Sequence, residues 1–233
     1  MATRYEHIYI LDYIQENLVD GELPRDFRLP LEVTKNDLPY ADGAKDGIAF
    51  YHAYISGMAE ESLPFLDEAL RAASREDYDA GFENLRRFAQ KNSAIAVGPD
   101  FQRYIAKQDW LDPEMLFAFA FVCMGNYDIN VVKYGLEMMG MFSDPGEMFK
   151  EMVRDLGLCN EFTIYAIYNM LGWRNANEEI FALAKKVYGW GRIHAVRYLK
   201  PETDEIRKWL LEEGIKNDIL PEYTEQEVYR KLH

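Results

Sequence analysis

The chain is poor in the residues and patterns that carry most catalytic chemistry. Only two of its 233 residues are cysteine, Cys123 and Cys159, so no disulfide framework and no Cys-x-x-Cys metal knuckle can be built. Two free thiols in a reducing compartment are expected. Four histidines, His7, His52, His194 and His233, contain neither a His-x-His nor a His-Glu-x-x-His pair. A two-histidine, one-carboxylate iron site needs two neighbouring imidazoles. The sequence has no Gly-Lys dipeptide for a phosphate loop and no Gly-x-Ser-x-Gly elbow for a serine hydrolase. Gly189-Trp190-Gly191 follows a helical pattern rather than a strand, which is the wrong context for a dinucleotide loop. No metal, no cofactor and no catalytic residue is expected.

Long apolar runs and positive charge are also scarce. The longest apolar run, Met115 to Gly125, falls short of the roughly 18 residues that cross a bilayer. The opening Met1 to His7 has no basic and apolar leader pattern, and the expected location is cytoplasmic. Lys and Arg total 26 against 40 Asp and Glu, a formal net charge of −14. Such a surface repels phosphate backbones and anionic lipids. A membrane partner is not expected and a nucleic-acid partner is disfavoured. A second protein, in particular a basic one, fits the charge. Hydrophobic residues at 48% and charged residues at 28% are the mixture of an ordinary folded chain.

Helical periodicity dominates what is present. Tyr5, Ile8, Leu11, Ile14 and Leu18 predict an amphipathic helix over 3–18, stopped at Asp20-Gly21. Residues 20–42 carry Pro24, Pro30 and Pro39 and no sustained period, which predicts an irregular, extended arm. Residues 1–42 are thus read as an N-terminal helix and arm packed on a helical domain over 43–233, one structural unit overall. Helices are predicted near 45–57, 60–73 and 76–91, and no period-2 strand pattern is found. The fold class is all-α.

An internal repeat refines this. Four segments open on an acid followed by Met or Ile and close on glycine: Glu114 to Gly125, Glu147 to Gly157, Glu179 to Gly189 and Glu205 to Gly214. Between them run 130–140, 161–172 and 190–200, in which Gly135, Ala166 and Ala195 fall in register. Small residues permit close helix approach, and apolar residues one and four positions later fill the seam. Opening acids suit the helix dipole and closing glycines suit a left-handed cap. A helix pair every 30 residues or so is the spacing of an α-solenoid of stacked hairpins. Asn126, Asp128, Asn130 and Glu137 mimic part of a calcium loop, but Val131 stands where that loop needs glycine. A helix-capping turn is the better reading. The acid pairs 60–61, 178–179 and 212–213 read as solvated helix faces.

The runs EFTIYAIYNML (161–171) and EEIFALAKKVYGWGRIHAVRYLKPETDEIRKWLLEEG (178–214), with DGELP (20–24) and ADGAKDGIAFYH (41–52), resemble a family of bacterial HEAT- or armadillo-like helical-repeat proteins. Many of its members carry the name "limonene hydroxylase". The resemblance covers most of the chain, and GWGRIHAV (189–196) is its most specific part. It implies the helical-repeat fold, and the family's name implies a monooxygenase-type activity. No catalytic residue is carried over. Family members continue with further helices after a Gly-Cys-x-Asn turn, where this sequence has Gly214-Ile215-Lys216-Asn217.

The repeat register also defines a candidate protein-binding groove. Tyr134, Tyr165 and His194 align across successive helices, and Glu137, Tyr168 and Arg197 align three positions later. Aromatic and arginine side chains are favoured interface anchors. The same spacing also suits rings packed between repeats. Trp190 is expected to be buried at a helix start, with Arg192 paired to a carboxylate. The leading functional expectation is a non-enzymatic scaffold for protein–protein interaction. The alternatives are an enzyme of monooxygenase type and a HEAT-like DNA glycosylase, for which 191–200 is the one compact basic segment.

Overall fold

The computed structural model describes residues 7–30, 41–53 and 57–233. These residues form thirteen α-helices and no strand; one isolated bridge joins Val19 and Glu22. The helices are α1 (Ile10–Glu16), α2 (Ala44–His52), α3 (Leu63–Ser74), α4 (Tyr78–Ala89), α5 (Ala94–Ala106), α6 (Pro113–Met124) and α7 (Ile129–Met139). Then come α8 (Glu147–Leu158), α9 (Thr163–Met170), α10 (Ala176–Lys186), α11 (Trp190–Tyr198), α12 (Asp204–Trp209) and α13 (Pro221–Leu232). A π-helical turn, Leu210–Gly214, extends α12. The all-α class therefore holds. No helix among the described residues is long and apolar enough to cross a membrane.

Local chemistry explains the helix starts. Asp77, Asp112, Asp128 and Thr203 each accept a hydrogen bond from a first-turn amide through the side chain, satisfying donors that the helix leaves open. Pro113 and Pro221 occupy first positions, where a missing N–H costs nothing. Asn126 and Asp128 thus form a capping turn: Asn126 Oδ1 accepts from the Asp128 amide, and Asp128 Oδ1 accepts from Asn130 and Val131.

The chain divides into two compact units that do not follow the expected boundary at residue 42. The first comprises Met1–Tyr13, Leu29–Asp37 and Ile48–Pro145; the second comprises Ile14–Arg28, Leu38–Gly47 and Gly146–His233. The segment over 1–42 is shared between them. Of the predicted first helix, residues 3–6 lie outside the described residues, and the helix begins at Ile10. Residues 54–56 of the predicted helix over 45–57 also lie outside them; the helix described there ends at His52. Of the predicted arm over 20–42, residues 20–30 and 41–42 carry no helix, and residues 31–40 lie outside the described residues.

In the first unit α3 and α4 form one hairpin and α6 and α7 another. α3 packs on α6, α4 packs on α7, and α5 lies against α7. The core centres on Phe88, Phe101 and Tyr134, whose ring centroids lie 4.8 to 6.0 Å apart. Helix α5 is not among the helices predicted from periodicity, and it holds Gly98-Pro99, a pair that disfavours an isolated helix. Tertiary packing overrides that signal. A Cβ at Gly98 would come within 2.7 to 2.9 Å of the Glu137 carboxylate, and Gln102 Nε2 donates to Glu137 Oε2 at 3.0 Å.

In the second unit the hairpins are α8/α9, α10/α11 and α12 with its π turn against α13. α9, α11 and α13 lie side by side, and α8 lies beside α10. The small residues act as the register implied at two places. A Cβ at Gly135 would fall 2.8 Å from Cys123 Cβ, so α7 closes tightly on α6. A Cβ at Gly157 would fall 2.8 Å from Ala166 Cβ, so α9 closes tightly on α8. Ala195 is fully buried on α11. The closing glycines differ from expectation: left-handed glycines are Gly21, Gly43 and Gly146, whereas Gly125 and Gly189 have φ of −84° and −88°. Gly157 lies inside α8 and serves the close crossing instead of a cap.

Candidate functional site

Four of the six residues assigned to the groove are core residues. In the first unit Tyr134 is fully buried, and its hydroxyl donates to the Asn92 carbonyl at 3.0 Å. Glu137 is buried beside Gln102. In the second unit Tyr165 and His194 are each 1% exposed. The expectation of an open column through Tyr134, Tyr165 and His194 is therefore corrected. Each ring is buried by the helices of its own unit, and the Tyr134 and Tyr165 hydroxyls serve internal hydrogen bonds. Only Tyr168 and Arg197 are partly exposed.

The polar cluster around His194 is held from below by α2. Tyr165 on α9 donates its hydroxyl to Asp46 Oδ2 at 2.8 Å. Asp46 is itself buried, and its approach is fixed by Gly47, where an added Cβ would overlap the Trp190 indole. Gly43 has φ of +80° and donates its amide to Glu161 Oε2 at 2.6 Å. Asn160 Oδ1 accepts from the Gly191 amide at the start of α11, and Thr163 donates to the Gly157 carbonyl. Burial pushes the His194 imidazole down to about 4, with Asp46 pulling upward and Arg197 pushing further down. The imidazole is neutral at pH 7. This cluster cements α2, α9 and α11, and its centre at Asp46, Tyr165 and His194 is buried.

An exposed edge remains on the second unit. Tyr168 of α9 and Tyr198 of α11 meet edge to face at 5.7 Å. Arg197 donates to Glu227 Oε1 of α13 at 2.8 Å, and Arg230 caps the same carboxylate. Lys231 donates to the Arg197 carbonyl, and burial lowers its pKa with the help of Arg230 and Arg197. Three neighbouring helices, α9, α11 and α13, thus supply one aromatic pair and one ion cluster. Comparison of the chain with protein-family models, curated proteins and solved structures finds no match. The geometry alone carries the reading of this edge.

Several other expectations resolve differently. Trp190 is 4% exposed at the first position of α11, as expected. Among the described residues Arg192 does not pair with a carboxylate. Its Nε donates to the Val187 carbonyl at 2.7 Å and its Nη1 to the Glu213 carbonyl at 2.9 Å. A buried cation is satisfied here by main-chain dipoles, and its pKa is lowered by burial. Of the basic segment over 191–200, Arg192 and His194 face the interior, leaving Arg197 and Lys200 at the surface. Glu179 is not simply solvated: Arg154 binds it through two nitrogens at 2.8 and 2.9 Å and lowers its pKa. Cys123 and Cys159 are both free and buried, and burial raises the Cys123 thiol well above its ordinary range. A thiol held neutral in this way is a poor nucleophile.

The sequence reading missed Asp46 altogether. An acid in the first turn of a short helix looks like an ordinary dipole partner. Its one signal is the flanking glycine at 47, which permits the backbone to approach a large ring.

Proposed function

We propose that this chain is a non-enzymatic helical-repeat scaffold, an α-solenoid of HEAT or armadillo type, that binds another protein through the edge formed by α9, α11 and α13. The observation that carries the reading is the half-exposed Tyr168–Tyr198 pair beside Arg197, presented by consecutive layers of helices. Tyrosine and arginine offer large contact area and directed hydrogen bonds at modest entropy cost, which makes them preferred anchors. Leu171, 43% exposed at the end of α9, adds apolar surface one turn from Tyr168. The net charge of −14 favours a basic partner by steering its approach. Side-by-side packing of α9, α11 and α13 supports the solenoid description, since each repeat then contributes one position to the same edge.

A photo-crosslinking residue at position 168 tests this, with one at exposed Glu60 as the control. The reading expects one defined protein adduct at 168, absent at 60, that weakens when Tyr198→Ala and Arg197→Ala are introduced. Identical adducts at both positions, or none at 168, would count against the edge as the binding face.

A further inference from the structure

The second unit holds an open cleft of about 120 Å³ that shares no lining residue with the proposed scaffold edge. Its apolar wall includes Leu23, Leu158 and Val187, and its rim carries Arg25, Arg28 and Lys186. Three cationic side chains converge here in a chain with an excess of 14 acids. Their partners are informative. Arg25 lies over the Tyr188 ring at 4.2 Å and stands 3.8 Å from Asp218, which accounts for one charge. Arg28 donates only to the Phe27 and Arg25 carbonyls, at 2.6 and 3.4 Å. Lys186 donates to the Gly21 carbonyl at 3.0 Å. Among the described residues neither Arg28 nor Lys186 meets a carboxylate. Asp42, also in the wall, is buried, which leaves three cationic side chains against two carboxylates in the lining.

Two full positive charges beside a concave apolar wall form a site with a defined complement. A guanidinium and an ammonium recognise an oxyanion, the guanidinium by two parallel N–H donors and the ammonium as a point charge. The apolar wall recognises a hydrocarbon body, which binds by leaving water. A closed cavity of about 150 Å³ holds a benzene ring, so a cleft of about 120 Å³ that is open at its mouth seats most of a ring with its charged end outside at the rim. We propose that this cleft binds a small organic anion, a carboxylate or phosphate group on a ring-sized apolar body, with Arg28 and Lys186 holding the oxyanion. The site stands independently of the scaffold reading, because it shares no residue with the Tyr168 edge.

The test is calorimetric titration of the full chain with benzoate, phenyl phosphate, inorganic phosphate and neutral benzamide. Benzoate or phenyl phosphate should saturate one site with a dissociation constant at or below about 1 mM. Benzamide and inorganic phosphate should each bind at least tenfold more weakly, since one lacks the charge and the other the apolar body. Which of the two aromatic anions binds tighter distinguishes a carboxylate ligand from a phosphate monoester. The double variant Arg28→Gln, Lys186→Gln should lose at least tenfold in affinity, whereas Lys107→Gln in the first unit should not change it. Both substituted side chains lie at the rim, so circular dichroism should show the fold intact. Absence of saturable binding by either aromatic anion overturns the proposal. Equal binding of benzamide, or an unchanged affinity in the double variant, overturns it as well.

Discussion

His194 offers a direct probe of how the second unit is held together. The imidazole is 1% exposed and neutral, with a pKa near 4 in the folded chain against 6.5 for an ordinary histidine. The groups facing it are Asp46 from α2, the Trp190 ring at 6.3 Å, and Arg197 one turn on. Because the folded value lies below the unfolded one, the unfolded chain takes up a proton first as pH falls. The contribution to stability is complete above pH 6.5 and is lost progressively down to about pH 4. At about 1.4 kcal/mol per pH unit, that interval corresponds to about 3 kcal/mol. Urea denaturation between pH 8 and pH 4.5, on the wild type and on His194→Gln, isolates the effect, since carboxylate titrations common to both chains cancel. The wild type should lose about 2.5 kcal/mol more than the variant across that range. Parallel curves would refute the reasoning. If the variant fails to fold, NMR of the wild-type imidazole at pH 5.5 decides instead: a charged ring there contradicts a buried neutral histidine.

Three further perturbations test the packing argument. Gly157→Ala drives a Cβ to within 2.8 Å of Ala166 and should cost about 1–3 kcal/mol through overpacking; adding Ala166→Gly should recover part of it, with a coupling of about 1 kcal/mol in a double-mutant cycle, whereas additive losses would deny the tight crossing. Arg192→Lys keeps the charge but cannot reach both the Val187 and Glu213 carbonyls. It should lower stability by about 1.5–3 kcal/mol, one charged hydrogen bond, and a change below about 0.5 kcal/mol would show that the guanidinium fork is dispensable. Asn92→Ala removes the side chain that accepts from the Ala59 amide and donates to Ser62 Oγ and the Phe88 carbonyl. It should cost about 1–3 kcal/mol and accelerate hydrogen exchange at the Ala59 amide; unchanged exchange there would contradict the assignment.

The sequence made the helices legible and the faces misleading, for one physical reason. Helical period, capping acids and prolines act within a few residues of where they stand, so α6, α7, α8 and α11 fall close to the segments that periodicity marks out. The same period cannot say which of two opposite helix faces is open. Tyr134 in the first unit and Tyr165 and His194 in the second are each buried, so the helix faces that carry them are covered. The cover of Tyr165 includes Asp46, which lies more than a hundred residues upstream and carries no local sign of the bond it makes. Glu137 shows the same principle in the first unit: its carboxylate fills the space left by Gly98 and stabilises a helix across Pro99 that local propensity argues against. Small residues mislead in a related way. Glycine at a helix end and glycine at a helix crossing look identical in sequence, yet Gly157 lies inside α8 against Ala166 and the left-handed turns fall at Gly43 and Gly146. A residue on a repeat register is therefore a statement about packing until an exposed neighbour such as Tyr168 or Arg197 shows otherwise. That is why the candidate edge rests on those two positions and not on the full column.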